Sequence, residues 1–299
     1  NFGKHVFPTR KYRLIRDALA DSFGATVEEF ILPQAAERAA LRLVHSEDWI
    51  KKLETGTLSY LEVQKLEAPY SRQMVQAYFL AAGGTVLAAR QAVARGMALN
   101  IGGGFHHAFA GHGEGFCAIN DVAVAVRVLQ REGLIKKAAV VDCDVHHGNG
   151  TATIFKSDAT VFTLSIHQRD NYPSEKPPSS LDIHLPDATG DQEYLARLGE
   201  AVSTIVAGYQ PDLIMYVAGA DPYLDDQLGG LALTKEGMLT RDRLVFETAF
   251  RHHVPVCTVL AGGYAHHLAD TVELHAQTYS AAVGAARECG WPGIGESSV

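Results

Sequence analysis

Four cysteines in 299 residues are too few for a disulfide frame, and Cys117, Cys143, Cys257 and Cys289 show no Cys-x-x-Cys spacing of the zinc-thiolate kind. Three of them lie in apolar surroundings, so buried free thiols in a reducing, cytoplasmic setting are expected. Positive charge is scarce as well. Lys and Arg total 26 against 34 Asp and Glu, the formal net charge is -8, and no basic run occurs, which argues against direct nucleic-acid binding. Long apolar runs are missing too, because Arg90 or Pro211-Asp212 interrupts the longest stretches, and no membrane span is expected. At the start, Lys4, Arg10, Lys11, Arg13 and Arg16 break any apolar signal core, while a beginning at Asn1 rather than Met suggests a trimmed chain. Neither a repeat nor a low-complexity tract is visible. What remains is ordinary globular material, 47% hydrophobic and 20% charged.

Within it, helical periodicity runs over Lys11 to Ser22, Ser46 to Glu54, Arg72 to Arg95, Asn120 to Glu132, Asp191 to Tyr209 and Thr234 to Arg251. Short Val-, Ile- and Leu-rich runs alternate with these: Ala98 to Ile101, Ala138 to Val141, Thr160 to Ile166, Leu213 to Val217 and Val256 to Leu260. Such alternation predicts βαβ units in one α/β domain over 1–299, with a mainly parallel sheet sandwiched between helices. The proline-rich stretch from Gln168 to Leu181 reads as a long irregular loop of the kind that rims a site.

Chemistry gathers where three of the apolar runs end. Val141-Asp142-Cys143-Asp144-Val145-His146-His147 places carboxylates and imidazoles at alternating positions, and a strand's period of two would turn Asp142, Asp144 and His146 to one side. Gly102-Gly103-Gly104-Phe105-His106-His107 follows a second run and Ala218-Gly219-Ala220-Asp221 a third. A single Asp-x-Asp-x-His string can be a solvated strand end. Three strands delivering His or Asp at the same relative place outline a metal site at the carboxyl edge of a sheet.

The segments GGGFHHAFAGHGEGFCAINDVAVA, VVDCDVHHGNGT, AGADPYLDDQLGGLALT and LAGGY, in this order, resemble the zinc-dependent histone deacetylase family from about His5 to Leu268. NIGGGFHHA and DDQLGGLALTKEGMLTRDRLVF are most similar to its class IV branch, although His147 stands where eukaryotic members of that branch carry Gln. The resemblance implies an arginase/deacetylase fold and hydrolysis of an acyl group, acetyl or longer fatty-acyl, from an acylated lysine peptide or protein or a small acylated amine such as an acylpolyamine. It implies Asp144, His146 and Asp221 as ligands of one zinc, a set that leaves room for water and that iron could also occupy.

Amide hydrolysis further needs a base for the attacking water, a proton for the departing amine and stabilisation of the oxyanion. By resemblance His106 and His107 meet the first two needs and Tyr264 the third. Asp142 would pair with His106 and raise its pKa, whereas Asn149 would only orient His107, making His107 the better base near neutral pH. The resemblance also implies an acyl-lysine tunnel from Gly115, Phe116, Tyr172, Leu228 and the Gly229-Gly230 pair. An inner potassium site would be formed by Asp142, Asp144, His146, Ser165 and the Ile166 backbone, and Arg10 or Lys11 would line a product channel. Two other readings compete. An arginase-like ureohydrolase would typically need two Asp two residues apart on the last ligand strand, whereas Asp225 and Asp226 come four and five residues after Asp221, and a non-catalytic acyl-lysine binder would commonly lose the tyrosine or a ligand. Oligomeric state is not legible.

Overall fold

Burial on both faces is what lets the short apolar runs become strands of one parallel sheet. The computed structural model describes residues 5–23 and 30–291, so both extreme ends of the expected 1–299 domain, including Lys4, lie outside the described residues. Six strands, β1 (Met97–Asn100), β2 (Ala138–Asp142), β3 (Val161–Gln168), β4 (Leu181–Leu185), β5 (Leu213–Val217) and β6 (Val256–Val259), pair in the order β1-β6-β5-β2-β3-β4. Every pairing is parallel.

Helices cover both faces. Before β1 come α1 (Lys11–Phe23), α2 (Arg38–Leu41), α3 (Glu47–Thr55), α4 (Tyr60–Leu66) and α5 (Arg72–Arg95); α6 (Asp121–Arg131) precedes β2 and α7 (Asn149–Ile154) follows it. Then come α8 (Asp191–Thr204), which runs into a π-helical turn Ile205–Tyr209, α9 (Lys235–Arg251) and α10 (Leu268–Glu288). Strand alternation divides the core. Val140, Met215, Val217 and Val259 pack with α5 and α6, while Ala139, Val141, Ile214 and Tyr216 pack with α8, α9 and α10. Serine and threonine start several of these helices: Ser71 accepts from Met74 N–H at α5 and Thr234 from Gly237 N–H at α9. Among the described residues, no helix is long and apolar enough to cross a membrane.

The strand order positions the site. From β2 the chain moves outward to β3 and β4, then returns to lay β5 on the other side of β2 and continue to β6. The direction of winding therefore reverses between β2 and β5, and a crevice opens at their carboxyl ends, where doubly wound sheets bind ligands.

The expected segments leave out the short helices α2, α4 and α7, and two longer-range elements, β4 and α10. β4 begins where the irregular loop was to end; its Leu-Asp-Ile-His-Leu alternation is that of a half-covered edge strand and gives little apolar signal. α10 escapes because its buried face is built from Thr271, Leu274, His275, Thr278, Ala281, Ala282 and Ala285, which are mostly small or polar.

Candidate active site

β2 stops at Asp142, and residues 144–146 form bends, so strand alternation does not carry through to His146 as expected. Hydrogen bonds shape the turn instead. Asp142 Oδ1 accepts from Asp144 N–H (3.1 Å), and Asp144 Oδ1 accepts from His146 N–H (3.0 Å). Asp221, just past β5, accepts from Val145 N–H through Oδ1 (2.9 Å) and so ties the two strand ends together across the crevice. The result brings one donor atom each of Asp144, His146 and Asp221 within 4.8 Å of one another, all buried.

This trio has the chemistry of a cation site. Asp221 Oδ2 is buried without a hydrogen-bond partner, and His146 Nδ1 lies 3.5 Å from it and 3.0 Å from Asp144 Oδ1. Burial and the neighbouring Asp144 charge push Asp221 up to about 7. Burial alone would lower His146, but the hydrogen bond to Asp144 and the nearby Asp221 carboxylate hold it up to about 10. Protons are thus drawn to a point where a divalent cation would neutralise the carboxylates directly. Backbone leaves the room. A Cβ on Gly262 would fall 1.9 Å from Asp221 Oδ2 and 2.5 Å from Asp144 Oδ2.

Beside the trio stand two imidazoles. His106 Nδ1 is 2.7 Å from Asp142 Oδ2, and its Nε2 faces His107 Nε2 at 3.1 Å. Burial works against a charge on His106, but Asp142 and Asp144 outweigh it and raise the pKa to about 9. His107 is driven well below the ordinary histidine value by burial first, then by the neighbouring His106 and His146. The contrast anticipated from Asp142 and Asn149 is present in direction, but at His107 the amide contributes less than these larger effects.

Asn149 has a sharper role than composition suggested. Its Nδ2 donates to Glu114 Oε1 (2.7 Å), which fixes the amide so that Oδ1 accepts from His107 Nδ1–H (2.7 Å). The unprotonated nitrogen of neutral His107 is then Nε2, on the side of His106. Glu114 is a ready acceptor: burial opposes its charge, yet hydrogen bonds to His112, Lys65 and Asn149 bring it down to about 2.

The pocket above these groups has a volume of about 180 Å³ and is lined by Gly115, Phe116, Tyr172, Leu228 and Tyr264 together with His106, His107, Asp144 and His146. Tyr172 meets His107 edge-on, with ring centroids 5.0 Å apart. Gly115 has φ +50, and a Cβ there would lie 2.8 Å from both His107 Cδ2 and Tyr172 Cε1. Phe116 itself has φ +65, a costly conformation for a bulky residue, and is held by Phe116 N–H donating to Leu66 O (2.9 Å) and by Tyr78 donating to its carbonyl. Burial, then the charges of Asp144 and Asp221, keep the Tyr264 hydroxyl protonated far above the ordinary tyrosine range.

Of the remaining expected residues, Gly230 is not on the pocket wall: it is exposed, its N–H donates to Gln168 Oε1 (2.8 Å), and it shapes the loop behind Leu228. Ser165 is the register partner of Asp142 on β3, followed by Ile166, but its Oγ pairs with His167 Nδ1 (3.0 Å). Arg10 is exposed, whereas Lys11 is buried and donates to Ala261 O (2.7 Å); burial lowers it to about 8 against the pull of Asp221, Asp144 and Asp226.

Three supporting residues went unread. Glu114 sits between Gly113 and Gly115 in the first motif, where a charged residue between two glycines is the available signal. Asp226 accepts from Leu228, Gly229 and Tyr264 N–H, at 2.8, 3.0 and 2.6 Å, and so joins the pocket wall to the tyrosine loop. Arg241, inside α9, pairs with Asp242 and donates to Gly219 O (2.6 Å), bracing the turn before Asp221. A charged pair at core-facing positions of a helix is the signal that could have found it.

A family model described as the histone deacetylase domain matches residues 5–279. The chain is 41% identical over 279 residues to an uncharacterized protein of Picosynechococcus sp., covering 93% of each. It is 31% identical over 293 residues to histone deacetylase 2 of Arabidopsis thaliana, covering 90% of this chain and 73% of that one. The crystal structure of an HDAC homolog from Aquifex aeolicus is similar in fold, with a TM-score of 0.76 at 24% identity over 95% of this chain and 84% of that chain.

Proposed function

This chain belongs to the histone deacetylase domain family, and from that membership we propose that it is a metal-dependent amidohydrolase removing an acyl group from an acylated lysine or related amine. One observation carries the reading: Asp144, His146 and Asp221 converge in the β2/β5 crevice directly beside the His106–His107 pair and under an apolar pocket. The donor set supports one zinc, with iron as an alternative; the bound cation supplies Lewis acidity to the acyl carbonyl and makes water more acidic.

The chain's own residues do the rest. Phe116, Tyr172 and Leu228 exclude water from a methylene stem. His107 takes a proton from the attacking water at Nε2, with Asn149 and Glu114 holding the tautomer that exposes this nitrogen, and the departing amine receives its proton from the His106–His107 pair. His106, charged beside Asp142, stabilises developing negative charge. Tyr264 donates its hydroxyl proton in a hydrogen bond to the oxyanion. Asp226 is committed to three backbone N–H groups, which disfavours the dinuclear ureohydrolase reading, and the retention of Tyr264 and all three ligands disfavours a mere binder.

Finer assignments belong to the same proposal. They are the class IV branch, one catalytic domain over 1–299, a structural potassium at Asp142, Asp144, His146, Ser165 and Ile166, a cytoplasmic setting in keeping with four free cysteines, and no direct nucleic-acid contact. Turnover on acetyl-lysine and long-chain acyl-lysine peptides, with and without chelator, tests the reading. Activity should vanish on chelation and in Asp144→Ala, His146→Ala and Asp221→Ala, each with loss of bound metal. Normal activity and full metal content in Asp221→Ala would defeat it.

A further inference from the structure

A second group of ligand-type side chains lies at the β3–β4 edge. Ser165 and His167 share one face of β3, opposite Leu164 and Ile166, and are in register with Asp182 and His184 on β4. His147, from the turn after β2, reaches this face. Its Nε2 is 3.1 Å from Asp182 Oδ1, and its ring meets that of His167 at 4.7 Å and 81°. His167 Nε2 is in turn 2.8 Å from His184 Nδ1, the rings again 4.7 Å apart and nearly perpendicular. His147, His167 and Asp182 offer donor atoms within 4.8 Å of one another.

Four nitrogen and oxygen donors from three chain segments are more than a hydrogen-bonded pair requires. We propose that His147, His167, Asp182 and His184 form a second divalent transition-metal site, chemically suited to zinc and separate from Asp144, His146 and Asp221. Three imidazoles and one carboxylate match the ligand preferences of such ions, and four protein ligands with no vacant position make a closed, structural centre rather than a catalytic one. Supporting geometry is already in place. Ser165 Oγ, 3.0 Å from His167 Nδ1, can accept that N–H and leave Nε2 to ligate, as outer partners of metal-bound histidines do. His147 Nδ1 is buried with no hydrogen-bond partner among the described residues, and Nε2, which faces Asp182 Oδ1, is the nitrogen that would ligate. His147 and His167 are fully buried while His184 is exposed, which gives an ion a path from solvent.

The consequence is mechanical. Residues 169–180 leave from β3 beyond His167 and return into β4 at Asp182, and they carry Tyr172 of the pocket wall; His147 is the neighbour of His146. An ion here would clamp both ends of that segment to the turn that holds the first site.

The test is metal content of the full chain, stripped with chelator, reloaded with Zn²⁺ alone, desalted and measured by elemental mass spectrometry. About two zinc ions per chain are expected, falling to about one in His184→Ala and in Asp182→Asn. Asp221→Asn should also hold about one, and the Asp221→Asn/His184→Ala double variant none. His184 is on the surface, so its removal leaves the core intact even if the Asp182 variant folds poorly. Zinc content in His184→Ala and Asp182→Asn equal to that of the native chain overturns this inference, whatever Asp221→Asn shows; loss confined to Asp221→Asn leaves only the first site standing.

Discussion

Tyr264 and the two histidines divide the chemistry by protonation state, and each can be probed by a change of a few atoms. If the Tyr264 hydroxyl serves the oxyanion, Tyr264→Phe should lower kcat by about 100-fold or more with metal content unchanged, the scale of losing one such donor. A near-native kcat would make the tyrosine a wall. For His107 the informative partner is Asn149. A carboxylate at 149 would favour imidazolium, raise the His107 pKa and move the acidic limb of kcat/KM to higher pH, because more alkaline solution is then needed to leave the base neutral. Glu114, however, lies 2.7 Å from Asn149 Nδ2, so Asn149→Asp alone would set two carboxylates against each other, to be relieved by a shared proton that mutes the shift. Adding Glu114→Gln restores a donor to the new carboxylate. The pH profile of the double variant should therefore move upward relative to both native and Glu114→Gln enzymes, and a stationary limb would remove His107 from the role of base.

At the level of elements, local propensity and packing give opposite answers at Gly83 in α5. By propensity alone, alanine in a helix interior is favoured over glycine by about 1 kcal/mol. Here the new Cβ would sit 1.8 Å from Gln34 O, in the extended segment that α5 anchors through Ala36 N–H donating to Phe79 O (2.8 Å). Gly83→Ala should thus lower the denaturant midpoint rather than raise it, and a stabilised variant would show that the 34–36 segment can move aside at little cost. The same tension explains the elements that were hard to read. α10 buries alanine, threonine and histidine, and β4 is a half-covered edge with polar residues facing His147 and His167, so neither shows the apolar rhythm from which α5, β2 and β5 were recognised.

On the scale of the molecule, the proposed metal site of Asp144, His146 and Asp221 would couple folding to ligand binding. Asp144 and Asp221 are buried together at the reversal point of the sheet, and a cation bound to the folded chain stabilises it by about 2.7 kcal/mol at a hundredfold excess over its Kd. Chelation should lower the Tm measured by calorimetry, and added Zn²⁺ should restore it in a concentration-dependent way. A Tm indifferent to both would mean that the buried carboxylates are satisfied without an ion.

The sequence by itself determined the class of fold, because short Val- and Leu-rich runs such as Ala138 to Val141 and Leu213 to Val217, alternating with long helical segments, are the pattern of a parallel sheet buried on both faces. It also carried the candidates that the structure brings together in one crevice, since Asp144, His146, Asp221, His106, His107 and Tyr264 all follow strand-like runs within short motifs. Tertiary structure alone decided how they are shared out. Lys11 rather than Arg10 enters the interior, Gly230 belongs to Gln168, and Glu114 reaches His107 through Asn149. The reason is that strand period and turn chemistry act over a few residues, whereas these pairings join positions tens to hundreds of residues apart. They form only once β5 has returned to lie against β2 and brought the two strand ends to one crevice.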